Sequence, residues 1–176
     1  MPRKTPAKPR FAALTNDECA TVLARNHIGR IAFLNHGVVD IEPVHYVANG
    51  EWLFIRSAAG TKVEAFSHEP YVAFEVDEVE GPFDWRSVVV HGTVYLLSDR
   101  GVRVDRLEFE RALRALRSLA PTTMTKNDLT PFRRQIYGVH VNSLTGRVAE
   151  QRVKTRKSRP PAIPRQPRHR GGSNGS

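Results

Sequence analysis

The chain has 176 residues, 40% of them hydrophobic and 26% charged, which suits one globular domain with a real core. A single cysteine, Cys19, excludes an internal disulfide framework and a four-cysteine zinc module, and no run approaches the ~18 apolar residues that cross a bilayer. The net charge of +9 sits at the ends: residues 1–10 carry four Lys or Arg and residues 151–176 carry eight, leaving 15 basic against 18 acidic residues between them, a net of −3.

A mildly acidic body argues against a folded surface built to meet nucleic-acid phosphates. The charged start leads into no apolar signal segment, so the expected protein is soluble, unexported and cytoplasmic, with its thiol reduced. Both ends are rich in proline and lack apolar periodicity. The expected organisation is a disordered basic tail over 1–12, a folded body over 13–150 and a disordered basic tail over 151–176. Residues 1–10 and 151–176 hold no aromatic side chain, so any polyanion contact they make is expected to be weak, non-specific and salt-dependent, and no membrane contact is expected.

In chain order, Leu14-Thr15-Asn16-Asp17-Glu18-Cys19 reads as a helix start. Thr15 is the N-cap, Glu18 closes a capping box and Leu14 staples onto Cys19, which makes the thiol a small buried hydrophobe. From Ile28 the texture changes to short β-branched and aromatic runs, predicting strands at about 28–34, 38–48, 51–56, 71–79, 86–98 and 135–142. Asn35-His36-Gly37 and Asn49-Gly50 are tight turns that join the first three into a meander. Gly92 interrupts a row of Val88, Val90, Val94 and Leu96 on one face, which suggests a bulge or close backbone approach as needed where a sheet curls into a barrel. A short helix is predicted over 60–68 and a longer one over 104–119, with an apolar stripe of Val104, Leu107, Ala112, Leu116 and Leu119. The expected fold is mainly β with flanking helices, an α+β six-stranded antiparallel barrel.

The segment Trp52-Leu53-Phe54-Ile55-Arg56-Ser57-Ala58-Ala59-Gly60-Thr61-Lys62 carries the chemistry most plainly. A strand ends, a small-residue loop follows and a helix begins, so free backbone N–H groups and the positive end of a helix dipole meet beside Arg56, Ser57, Thr61 and Lys62. The spacing serves two readings: a cradle for one phosphate, or an ordinary strand-to-helix turn edged with basic residues. It lacks the GxxxxGK[ST] pattern of a nucleoside-triphosphate loop. The seven histidines show no metal-ligand spacing, and no metal is expected.

Five segments in order carry a resemblance: Gly29-Arg30-Ile31-Ala32-Phe33-Leu34, Ile41-Glu42-Pro43-Val44-His45-Tyr46, Leu53 to Lys62, Val72-Ala73-Phe74-Glu75-Val76, and Trp85-Arg86-Ser87-Val88-Val89-Val90-His91-Gly92. From about Leu14 to Gly146-Arg147 the chain resembles the pyridoxamine 5′-phosphate oxidase-like family of FMN-binding split barrels, including its nitroimidazole-reductase-like branch. The resemblance implies a homodimer with FMN at its interface. It puts Ser57, Thr61 and Lys62 at the phosphate with Arg56 beside them. Pro43, Val44 and His45 fall on the strand along the isoalloxazine ring, and Trp85 and Ser87 fall near the cofactor. The implied activity is two-electron transfer to a small organic acceptor from a nicotinamide donor, with no catalytic residue assigned. Two alternatives share the fold: a deazaflavin-dependent reductase, and a non-catalytic flavin or haem module whose basic tails dock to an acidic partner. The C-terminal arginine and histidine signature of the founding oxidases has no match, so their substrate is not implied.

Overall fold

Alternating apolar positions become the inner face of a curled antiparallel sheet in the computed structural model, which describes residues 8–100 and 103–151. Among these, the strands are β1 (Arg10–Ala13), β2 (Ile28–Asn35), β3 (Val38–Asn49), β4 (Trp52–Ser57), β5 (Tyr71–Gly81), β6 (Asp84–Leu97) and β7 (Gln135–Glu150). The helices are α1 (Asn16–Arg25), α2 (Thr61–His68) and α3 (Arg103–Leu119). The sheet order is β1-β7-β4-β3-β2-β5-β6, and a further β6–β7 pairing closes six strands into a barrel. β7 is the seam. One edge follows β6 from Ile136 to Ala149, while the other serves β4 over Gln135–His140 and β1 over Arg147–Glu150. β1 therefore occupies the edge that β4 has left, which is the split in the barrel.

Phe33, Val44, Tyr46, Leu53, Phe74, Val88, Val90 and Val139 fill the interior. Tyr46 lies edge-on to Phe74 at 4.8 Å and donates its buried hydroxyl to the Leu23 carbonyl at 2.8 Å, tying the end of α1 to β3. Phe66 of α2 meets Phe33 and Tyr137 edge-on at 5.3 and 5.4 Å, so this helix joins the barrel core. α3 lies over the outer side of β4 and β7, where Phe54, Leu97, Ala112, Ala115, Leu116 and Ile136 form a second apolar cluster. No helix among the described residues is long and apolar enough to cross a membrane.

The α1 capping box is present, with Thr15 accepting from the Glu18 N–H and the Glu18 carboxylate accepting from the Thr15 N–H at 2.8 Å. At Gly92 the β6–β7 register shifts, and a Cβ there would stand 2.5 Å from the His140 carbonyl. Three expectations are corrected. The folded body begins at Arg10, because Arg10–Ala13 pairs with β7. The last strand runs to Glu150 rather than 142, because β1 and β6 supply backbone partners for residues of weak strand propensity. The buried face of α3 is Phe109, Ala112, Leu113 and Leu116 at i, i+3, i+4 and i+7, whereas Leu107 is 55% exposed, Leu119 is exposed, and the Val104 side chain lies outside the described residues. Residues 1–7 and 152–176 of the expected tails also lie outside them.

Candidate functional site

β4 ends at Ser57, beyond its pairing with Gln135, and α2 begins at Thr61. Gly60 is the N-cap in extended backbone, with no side-chain hydrogen bond to the helix start and nothing within 4 Å of where a Cβ would stand. The opening N–H groups of α2 therefore lack a side-chain cap, and a residue at Gly60 would meet no neighbour, which suits an anion. Lys62 is ion-paired with Glu42 of β3, which draws its ammonium toward that strand. Ser57 is half-buried, and its hydroxyl makes no hydrogen bond among the described residues. The Thr61 side chain lies outside the described residues.

Beside this loop, β3 alternates strictly. Val44 and Tyr46 point into the core, while Ile41, Pro43 and His45 are exposed on the outer face. The Val44 side chain is core, so only its backbone and its neighbours reach the outer surface. Pro43 is registered with Arg30 of β2, Arg30 with Glu75 of β5, and Glu75 with Val89 of β6. Along this row Arg30 bridges Glu75 and Asp77 at 3.2 and 2.6 Å, and Ser87 donates to Glu75 at 3.0 Å. Three strand spacings of ~4.8 Å place the β6 part of the row roughly 14 Å across the sheet from Pro43. Trp85 pairs with Ala149 and packs against Phe11 at 6.3 Å. The structure thus keeps Pro43 and His45 on the outer face of β3, whereas Lys62 pairs with Glu42, of opposite parity, and Ser57 has the parity of the core residues Leu53 and Ile55; Trp85 and Ser87 form a separate group.

Arg56 is not at the loop mouth. Its guanidinium is 10% exposed and gives every N–H away: Nε to the Arg133 carbonyl, and the terminal nitrogens to both Asp128 oxygens and to the Thr130 hydroxyl and carbonyl. No donor is left for a phosphate. Those hydrogen bonds, followed by the Thr130 backbone N–H, hold the Asp128 carboxyl well below the usual carboxylate range. The pair fastens the segment after α3 onto β4. Sequence reasoning missed Glu42, although strand alternation places it opposite in sense to Pro43, and it missed Asp128, which lies 72 residues from Arg56. Among the described residues, no group of three His, Cys, Asp or Glu could hold a metal ion.

Residues 15–148 match the family model for pyridoxamine 5′-phosphate oxidase, and the chain belongs to that family. An uncharacterised protein of Rhizobium meliloti (strain 1021) is 26% identical over 145 residues, spanning 77% of this chain and 93% of the relative. Among solved structures, an FAD-binding protein from Mesorhizobium loti superposes with a TM-score of 0.65 at 25% identity, over 81% of this chain and 99% of its own. The FAD-binding protein from Mycobacterium smegmatis gives 0.58 at 24% identity, over 78% and 99%. A Bacteroides thetaiotaomicron protein described as a candidate 5-nitroimidazole antibiotic resistance protein shares the fold, with a TM-score of 0.61 at 15% identity over 84% and 92%. The barrel described above is the split barrel of this family.

Proposed function

We propose that this chain is a flavin-dependent oxidoreductase that binds FMN between two copies of itself and passes two electrons from a nicotinamide donor to a small organic acceptor. The observation that carries the reading is a helix start without a side-chain cap, with Lys62 in its first turn, following directly on β4 in a chain of this family. Two of the structural neighbours are FAD-binding proteins, which supports a flavin. One cation beside one helix start matches a single phosphate, which supports FMN.

The residues fit the group. The first N–H groups of α2, Lys62 and the Ser57 hydroxyl would hold the phosphate, and the outer side of β3 at Ile41, Pro43 and His45 would lie along the ring. When bound, the flavin supplies the two-electron redox centre. The chain's part is to bind, orient and exclude water. Glu42 competes with phosphate for Lys62, so binding is coupled to loosening that ion pair. A second copy on the β2–β3 face would close the site from the other side.

The visible spectrum of the purified protein, with the released cofactor identified by mass, tests the cofactor. A yellow protein releasing FMN supports the reading. FAD corrects the nucleotide and keeps the flavin, a pale protein releasing a deazaflavin coenzyme moves the chain to the related reductases, and haem or nothing overturns it. In titrations of apoprotein, Lys62→Ala is expected to weaken FMN binding on the order of ten- to a hundredfold, the value of one charge-assisted contact. Glu42→Gln is expected to tighten it. Unchanged affinity in Lys62→Ala with an intact fold removes the phosphate cradle.

A further inference from the structure

The segment after α3 roofs a cavity of about 250 Å³ against the outer faces of β3 and β4. One wall is apolar, from Leu116, Leu119 and Leu129, the last of these 89% exposed at the mouth. His45, the next residue but one after Pro43 on the outer face of β3, also lines the cavity. The charges on the lining differ in one respect. Arg56 and Asp128 satisfy one another, and the Asp128 oxygens also accept the Met124 and Thr130 N–H groups at 2.7 and 2.9 Å. Arg133 is half-buried, its guanidinium lies 5.9 Å from the Phe132 ring centre, and among the described residues no carboxylate pairs with it. Its backbone is fixed on both sides, by its N–H to the Thr130 carbonyl at 3.0 Å and by Arg56 donating to its own carbonyl. The cavity is therefore lined by leucines, by an arginine whose backbone is fixed and whose side chain has no carboxylate partner among the described residues, and by a histidine shared with the candidate cofactor face.

We propose that this cavity binds the organic substrate, and that its class is a small molecule with a flat apolar body and one anionic group, a carboxylate or phenolate, gripped by Arg133. The apolar wall takes the body because leucine surface gains by leaving water. Arg133 takes the anion because a guanidinium can give two parallel N–H groups to two oxygens. A cavity below the ~300 to 1,000 Å³ usual for drug-sized ligands limits the body to one or two rings. His45 then faces the bound molecule from the side on which the ring would lie. Its role as the substrate pocket rests on the flavin reading above, whereas its choice of ligand does not.

The probes are 2-naphthoate and its neutral isostere 2-naphthamide, titrated by calorimetry into the full-length protein with and without FMN. Naphthoate is expected to bind roughly tenfold or more tighter than naphthamide. Arg133→Gln is expected to abolish that preference without changing FMN affinity, and Arg133→Lys to restore part of it. Because the Arg133 side chain closes no ion pair, these variants keep the Arg56–Asp128 latch. Equal binding of the two probes, or a preference that survives Arg133→Gln, overturns the proposal. Naphthoate preference in a protein that fails to bind FMN keeps the pocket's ligand class and overturns the flavin reading alone. With FMN bound, naphthoate is expected to perturb the flavin spectrum, and an unperturbed spectrum at saturation overturns the assignment as substrate pocket.

Discussion

At the scale of single residues, Arg56 shows how a cation near a phosphate-like loop is committed elsewhere. Strand parity sets it on the same outer face as Phe54, under the segment that follows α3, where Asp128 takes both terminal nitrogens. The consequence is a pH dependence with a defined sign. The folded-state value of Asp128 is depressed below its ordinary value, so its contribution to stability is complete above about pH 4 and is lost as pH falls through the depressed folded value. Urea unfolding followed from pH 6 to pH 2 should show stability falling with acid. In Asp128→Asn that fall should be shallower, and the variant should be less stable than the parent at pH 6, where the parent's carboxylate is fully charged. Parallel curves for the two proteins would show that the latch contributes no proton-linked stability.

At the scale of elements, the inner faces of the barrel are the part most open to reading from the sequence. Among the described glycines, Gly29 leaves the least room for a Cβ. A Cβ there would lie 2.2 Å from the Phe74 ring and 2.8 Å from the Glu75 carbonyl, and Phe74 is wholly buried. Gly29→Ala is therefore expected to destabilise by about 1 to 3 kcal/mol, the usual cost of overpacking a filled core, read as a lower urea midpoint at unchanged slope. Alternation made β2, β3 and β5 legible because each buries one face in one core, and β4 showed as a run of apolar residues because Leu53 and Ile55 face the barrel while Phe54 faces α3. β1 was not legible, since Arg-Phe-Ala-Ala following a proline-rich stretch has no period of its own and is a strand only because β7 offers an edge. The phase of α3 was hidden for a different reason. Leu107, Leu113, Leu116 and Leu119 point round more than one face, and Ala112 and Ala115 decide which face approaches the sheet, because small side chains let the helix axis come close.

At the scale of the whole molecule, the candidate site was legible as a loop and a strand, but not as a closed pocket, because in the proposed reading a second copy closes it. Pro43 and His45 share the outer face of β3 and Ser57 and Lys62 flank the turn from β4 into α2, whereas Trp85 and Ser87 stand roughly three strands from Pro43. The outer face of β2 and β3 carries Ile28, Leu34, Val39 and Ile41 in exposed positions, the last two each 65% exposed. Their register pairs Leu34 with Val39 and Ala32 with Ile41, an apolar patch that Arg30, paired with Pro43, separates from Ile28. A patch of this kind on a two-stranded surface is what a self-complementary interface uses, with about 800 Å² per partner needed for a stable pair. Two-fold symmetry would bring Ile41 toward the partner's equivalent surface, so a charge there would be buried against apolar surface from both sides at once. Ile41→Lys is accordingly expected to shift a dimer to monomer at micromolar concentration in sedimentation velocity and to weaken FMN binding with it, while circular dichroism stays that of the parent barrel. Dimeric Ile41→Lys would place the contact on another face, and a parent protein that sediments as a monomer would leave FMN to be held by a single chain.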